Sequence, residues 1–242
     1  MNIVGKTDKG VVRSSNQDAF AFGELKNDTA WAIVCDGMGG ANGGTVASSN
    51  AVKIITEYIQ SSFQDSMALN SIKALLQSSV YGANVRLYDM SNKIESLSGM
   101  GTTVVAVILS NNIAQIVHVG DSRAYLIDGG KLTQITKDHS IVQSMIDSGK
   151  ITPEEAINHP NKNVITRALG VKEDVEIEYN EIDFSSSQKL LICTDGLTNY
   201  VSNNEIEDII NNNPIDACPE LLIELANKNG GGDNITLVII EY

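Results

Sequence analysis

Four aspartates in this chain sit beside a glycine at the edge of a short apolar run: Asp36 in WAIVCDG, Asp121 in IVHVGDS, Asp195 in LLICTDG and Asp233 in GGGDNITLVII. Apolar runs of about four to eight residues bounded by glycine read as buried strands, so each carboxylate is expected where a sheet opens to solvent. Four such tips imply one shared site. Carboxylates crowded together repel one another unless a cation neutralises them, and ligands that are all oxygen favour Mg²⁺, Mn²⁺ or Ca²⁺ over zinc. Metal-dependent chemistry is therefore the first reading of these residues.

A further segment joins them from the front of the chain. RSSNQD carries Arg13, Asn16, Gln17 and Asp18. Arginine is a planar, permanently charged donor that grips two phosphate oxygens at once, and a carboxylate close behind it suits a metal or the water around one. Alone, an early arginine is ordinarily a solvated surface residue; its company gives it meaning.

Such scattered residues need a scaffold. After Asp36, MGGANGG reads as a loop, and Ala47, Ala51, Ile54, Ile55, Tyr58 and Ile59 then recur at helical spacing. Ile72, Leu75, Leu76, Ala83, Leu87, Met90 and Ile94 mark a second helix. Each has one apolar stripe, so both should lie on a sheet. TTVVAVILS and IAQIVHVG flank Asn111 and Asn112 as a hairpin, and RAYLI and KLTQI flank Asp128, Gly129 and Gly130 as another. Two consecutive hairpins predict one antiparallel sheet. A short helix is expected over Ile141–Asp147, stopping at Gly149, and Thr152, Pro153 and Glu155 supply the cap, first-turn proline and capping-box acid of the next. The polar stretch from about Gly149 to Lys162 reads as a surface flap. LLICTDG gives another strand, Ser202 and Glu205 cap a helix through Ile210, Leu221 to Ala226 read as helix, and NITLVIIEY reads as a strand. Helices and strands come in blocks, which favours α+β with helix-covered antiparallel sheets over a Rossmann or TIM arrangement.

With 242 residues, 42% of them hydrophobic, one domain over residues 1–242 is expected. A net charge of −13, from 17 Lys plus Arg against 30 Asp plus Glu, denies a nucleic-acid partner its basic footprint. Much of that acidity reads simply as a solubilising surface. The first residues hold no apolar signal core, and no run approaches the ~18 apolar residues that span a bilayer, so no membrane partner and a cytoplasmic location are expected. Cys35 and Cys193 fall inside strand runs and read as reduced core residues.

In chain order, RSSNQD, CDGMGG, GTT, VGDSRAY, TKDHS, VITRALG, LLICTDGL and DNITLVI resemble the PPM family, the metal-dependent protein phosphatases of type 2C, and the compact length is similar to its bacterial members. The resemblance implies a four-layer α/β/β/α sandwich: two central antiparallel β-sheets flanked by helices, with a binuclear Mn²⁺ or Mg²⁺ centre at one end. It implies that Asp36 bridges the two ions, that Gly37 joins the first through its carbonyl, and that Asp195 and Asp233 complete the second. Asp18 is similar to the residue that holds metal-bound waters, Asp121 with Asp195 to a third, weaker metal site, and Arg13 to the phosphate-binding arginine. The expected activity is hydrolysis of phosphoserine and phosphothreonine in phosphorylated proteins, by a monomer opposing a bacterial Ser/Thr kinase.

The chemistry fits those residue types. Two cations sharing a water lower its pKa from ~15.7 towards neutrality, and the resulting bridging hydroxide attacks phosphorus directly while Arg13 holds equatorial oxygens. Many eukaryotic relatives carry a histidine, proposed as general acid, where Met38 stands, and a thioether cannot donate a proton. His139 is the nearest substitute by motif, although a histidine near a strand end is more often a structural hydrogen-bonder; His118 reads as a strand residue and His159 falls in the flap. Arg123 and Asp138 read as braces, and Thr102 and Thr103 as ordinary strand formers. The alternative is a catalytically weak adaptor of the same fold that binds phosphoproteins; loss of an aspartate would favour it, and none is lost. A dehalogenase-type phosphatase would need a second acid two residues after Asp36, where Met38 stands, and no twelve-residue calcium loop is present.

Overall fold

The computed structural model describes residues 1–40 and 43–242, so Ala41 and Asn42 of the expected MGGANGG loop lie outside the described residues. In chain order the strands and helices are β1 (Asn2–Asp8), β2 (Asp18–Leu25), β3 (Thr29–Met38), α1 (Gly43–Ser62), α2 (Leu69–Lys93), β4 (Gly101–Thr102), β5 (Val104–Ser110), β6 (Ile113–Val119), β7 (Arg123–Asp128), β8 (Lys131–Gln134), α3 (Ile141–Asp147), α4 (Pro153–Ile157), β9 (Glu178–Asp183), β10 (Lys189–Cys193), α5 (Asp195–Thr198), α6 (Asn203–Asn212), α7 (Cys218–Lys228) and β11 (Ile235–Glu241).

Two antiparallel sheets result, ordered β1-β11-β10-β7-β8 and β2-β3-β5-β6-β9, with β4 pairing the tip of β3. Their central strands are apolar at nearly every position because both faces are covered. Along β3, Ile33 and Cys35 turn towards α1 and α2, whereas Ala32 and Val34 turn towards the other sheet. Along β11, Leu237 and Ile239 meet α6 and α7 while Val238 and Ile240 face β3 and β5. An antiparallel sheet with one wet face would alternate polar and apolar residues; these continuous runs mark the inner layers of an α/β/β/α sandwich.

The two hairpins are formed, but they do not share a sheet. Asn111 and Asn112 close β5 onto β6 with φ of 53° and 62°, and Gly129 and Gly130 close β7 onto β8 with 55° and 85°, the left-handed pairs of tight hairpin turns. Between β6 and β7 the chain crosses from one sheet to the other at Gly120, whose φ of 109° suits glycine alone. The crossing leaves Asp121 at the sandwich end. Both capping boxes, Thr152 with Glu155 and Ser202 with Glu205, are closed as their spacing predicts. The stretch expected as a flap, 149–162, falls within a longer segment from 135 to 177 that lies between β8 and β9, carries α3 and α4, and meets strand geometry at the bridges Ser140 to Ile165 and Thr102 to Leu169.

Candidate metal centre

The register of β2 on β3 sets Asp18 directly opposite Asp36. Like charges facing across an antiparallel pair are unfavourable unless something else holds them there. Asp36 is gripped through its backbone: its N–H donates to Thr103 Oγ1 at 2.9 Å, and its carbonyl accepts from Thr102 Oγ1 at 2.8 Å and from the Thr103 N–H at 2.9 Å. Asp18 is gripped through its side chain, where Oδ2 accepts from Thr194 Oγ1 at 2.9 Å and Thr236 Oγ1 at 2.7 Å. Those threonines belong to the opposite sheet, at the end of β10 and in β11, so one carboxylate ties the two sheets together. Thr102 and Thr103 read as strand formers within the GTT segment, and Thr194 and Thr236 carried no reading of their own, since their partners lie far away in sequence.

Asp195 opens α5, and its Oδ2 accepts from Asn199 Nδ2 at 2.9 Å. Asp233 precedes β11 and accepts from Arg13 Nη2 at 2.8 Å, while Arg13 Nε donates to the Gly232 carbonyl at 3.3 Å. The sequence left the role of Asn234 unmarked. Its Oδ1 accepts from the Gln17 N–H, and its Nδ2 donates to the carbonyls of Lys9 and Ser15, so it holds the loop carrying Arg13 against the start of β11. Asn16 accepts from the Asp18 N–H and donates to Thr7 Oγ1.

Gly37 earns its place by crowding. A Cβ there would lie 2.1 Å from the Gly44 carbonyl oxygen and 2.5 Å from that of Gln17. Glycine is thus required for α1 and the Arg13 loop to close on β3. Gly39 takes a φ of 108°, a turn that also suits glycine.

The electrostatics of this group are strained. Burial pushes the Asp36 carboxyl well above its usual range, and Asp18, Asp195, Asp121 and Asp233 add to it in that order. Asp18 is pushed up to about 7 by burial, despite the two threonine hydroxyls, with Asp195 and Asp233 contributing. Asp121 rises to about 8 through burial, then Asp195 and Asp138. Burial, then Asp233, raises Asp195. Two of these oxygens, Oδ1 of Asp18 and Oδ1 of Asp195, are buried with no hydrogen-bond partner. Buried unpartnered acceptors among converging carboxylates are what an oxygen-liganded dication requires, so the donor set fits Mn²⁺ or Mg²⁺.

The residues around the cluster are braces. Arg123 forks onto Asp138, with Nε to Oδ1 at 2.9 Å and Nη2 to Oδ2 at 2.6 Å. His139 accepts from the Gly120 N–H at Nδ1 (3.1 Å), so Nε2 carries the proton and donates to Glu178 Oε2 at 2.9 Å. Its ring stacks on His118 at 4.6 Å between centroids, and His118 Nε2 donates to the Lys137 carbonyl. Ligand atoms of His118, His139 and Glu178 lie within 4.8 Å of one another. Stacked rings aim their lone pairs side by side rather than at a common point, and the Arg167 guanidinium stands 3.1 Å from His139 Nε2, so this group suits a packed polar brace better than a cation. His159 turns back into the flap, where Nδ1 accepts from the Asn161 N–H.

Comparison with known proteins agrees with this geometry. The family described as Protein phosphatase 2C matches residues 10–227. The serine/threonine phosphatase stp of Listeria monocytogenes is 38% identical over 240 residues, covering 98% of this chain and 94% of that protein. The serine/threonine phosphatase PstP/Ppp of Mycobacterium tuberculosis superposes with a TM-score of 0.90 at 34% identity, over 100% of this chain and 99% of that one. The catalytic domain of the phosphatase PstP in complex with 2 manganese ions gives a TM-score of 0.86 at 33% identity, over 98% and 96%. With its four-layer sandwich and its aspartates gathered at one end, the chain belongs to the protein phosphatase 2C family.

Proposed function

We propose that this protein hydrolyses phosphoserine and phosphothreonine in other proteins, as a cytoplasmic monomer opposing a bacterial Ser/Thr kinase. The observation that carries the reading is the pair of buried, unpartnered carboxylate oxygens on Asp18 and Asp195 inside a ring of acids with raised pKa values. Similarity to serine/threonine phosphatases along nearly the whole chain supports it. Asp36, the Gly37 carbonyl, Asp195 and Asp233 would hold two core ions of Mn²⁺ or Mg²⁺, and Asp121 with Asp195 a third, weaker one. Bound there, such cations supply a water acidic enough to attack phosphorus at neutral pH and withdraw charge from the phosphoryl oxygens.

The protein's own residues do the rest. Arg13, half-exposed beside Asp233, clamps the phosphoryl oxygens and fixes them for in-line attack. Asp18, fastened by Thr194 and Thr236, orients water from the floor of the site. Neither Met38 nor His139 serves as general acid: a thioether carries no proton, and both ring nitrogens of His139 are engaged. The proton for the leaving alkoxide comes instead from a bound water or from another residue of the acid ring.

Purified protein is expected to hydrolyse p-nitrophenyl phosphate with Mn²⁺ and to stop in EDTA. Asp36→Asn and Asp233→Asn should each abolish turnover while circular dichroism shows the fold intact. Undiminished turnover in excess chelator would remove the metal mechanism. Phosphoproteomics of cells lacking the protein, beside cells carrying Asp195→Asn, identifies the substrates.

A further inference from the structure

A cleft of about 250 Å³ opens beside the acid ring. Its lining is mixed: Asp121, Asp195, Arg123 and Asp138 are among the polar residues, and Val142 and Ile146 of α3 with Pro153, Ala156 and Ile157 of α4 supply the apolar ones, beside Lys162. The outer wall is unusual in composition. Four of the seven residues of α3, namely Ile141, Val142, Met145 and Ile146, are apolar, yet none of its residues is buried. Neither α3 nor α4 contributes to the three hydrophobic cores, and Ile157 is 65% exposed. Helices this short owe their persistence to packing, so apolar side chains left facing a cleft are available to a ligand.

We propose that this cleft is a specificity subsite for the polypeptide around the phosphorylated residue: it takes one aliphatic side chain of the substrate, with an acidic neighbour paired to Lys162. The proposal rests on the phosphatase reading above. Three observations single out this occupant. The cleft is continuous with the aspartates, so the main chain on one side of a bound phosphoresidue must run past it. Its volume lies below the roughly 300–1,000 Å³ of small-molecule sites and suits a single side chain. Lys162 makes no ion pair among the described residues, and on a chain of net charge −13 it offers a carboxylate a local cation.

The test uses phosphothreonine peptides in which a single Leu is moved through the three positions on either side within an Ala-Ser background, with kcat/KM normalised to p-nitrophenyl phosphate turnover by the same protein. One position should favour Leu over Ala by about tenfold or more, the discrimination expected of an apolar pocket. Val142→Asp and Ile157→Asp should each erase that preference, Ile157→Leu should keep it, and Lys162→Glu should reverse any gain from an adjacent Glu. Equal kcat/KM at every position would overturn the subsite while leaving the phosphatase reading in place; no hydrolysis of either substrate class would overturn the reading itself. A preference that survives both Asp substitutions would also overturn the subsite, as would a dimer dissolved by Ile157→Asp with no peptide preference, since a second copy would then be what covers this face.

Discussion

Arg13 donates to Asp233 at 2.8 Å from a side chain half exposed to water, so this ion pair contributes little to stability and leaves the guanidinium available. Arg13→Ala is expected to raise KM for a phosphopeptide by about 10- to 100-fold with a smaller change in kcat, matching the roughly 1.5–3 kcal/mol of a charged hydrogen bond. Steady-state kinetics check it, and an unaltered KM would take Arg13 out of the site. The aspartates make a second, thermodynamic prediction. Asp18 and Asp121 have folded-state pKa values of about 7 and about 8 against 3.8 when free, so between those values the folded chain binds protons that the unfolded chain has lost. Stability of the chelator-stripped protein should therefore fall as pH rises from about 4 to about 8, and Mn²⁺ should flatten that slope. Urea midpoints across this range, with and without Mn²⁺, provide the check. Asp36, Asp121, Asp195 and Asp233 were legible because each stands at the edge of an apolar run. Thr194, Thr236, Asn234 and Thr103 were not, because their work is done by hydrogen bonds between residues up to 225 positions apart.

At the scale of elements, the site exists because backbones approach one another closely. Gly37→Ala would drive a Cβ into the Gly44 and Gln17 carbonyls, neither of which is the end of a flexible side chain. A loss of about 3 kcal/mol is expected, together with weaker metal binding, measured by urea unfolding and by Mn²⁺ titration. Gly82→Ala gives the opposite sign: it lies within α2, and its Cβ would meet only Tyr58 at 3.8 Å, so a gain of about 0.5–1 kcal/mol is expected. Helical stripes, capping boxes and hairpin turns were readable locally, and α1, α2, α4 and α6 follow from them. Strands β1 and β2 were not, since as half-exposed edges they carry mixed residues instead of the continuous apolar runs of the interior. The assignment of two adjacent hairpins to different sheets hangs on the turn at Gly120, and no periodicity announces that crossing.

At the scale of the molecule, two sheets bring residues from Arg13 to Asp233 to one end of a sandwich whose cores reach up to the site at Cys35, Val119, Cys193 and Ile235. Among the described residues no helix is long and apolar enough to cross a membrane. Because the aspartates repel one another in the folded state, folding and metal binding are coupled. Mn²⁺ at about 100 times its dissociation constant should stabilise the fold by about 2.7 kcal/mol, or roughly 5–10 °C in Tm for a chain of this size. Thermal unfolding with and without Mn²⁺ reads this, and an unmoved Tm would break the coupling. The most direct test of the central claim is phosphate release from a phosphothreonine peptide as Mn²⁺ is titrated into chelator-stripped protein. Release should climb from undetectable to a saturating rate in the wild type and stay flat for Asp36→Asn; stripped protein turning over at the metal-loaded rate, or an active Asp36→Asn, would contradict the account.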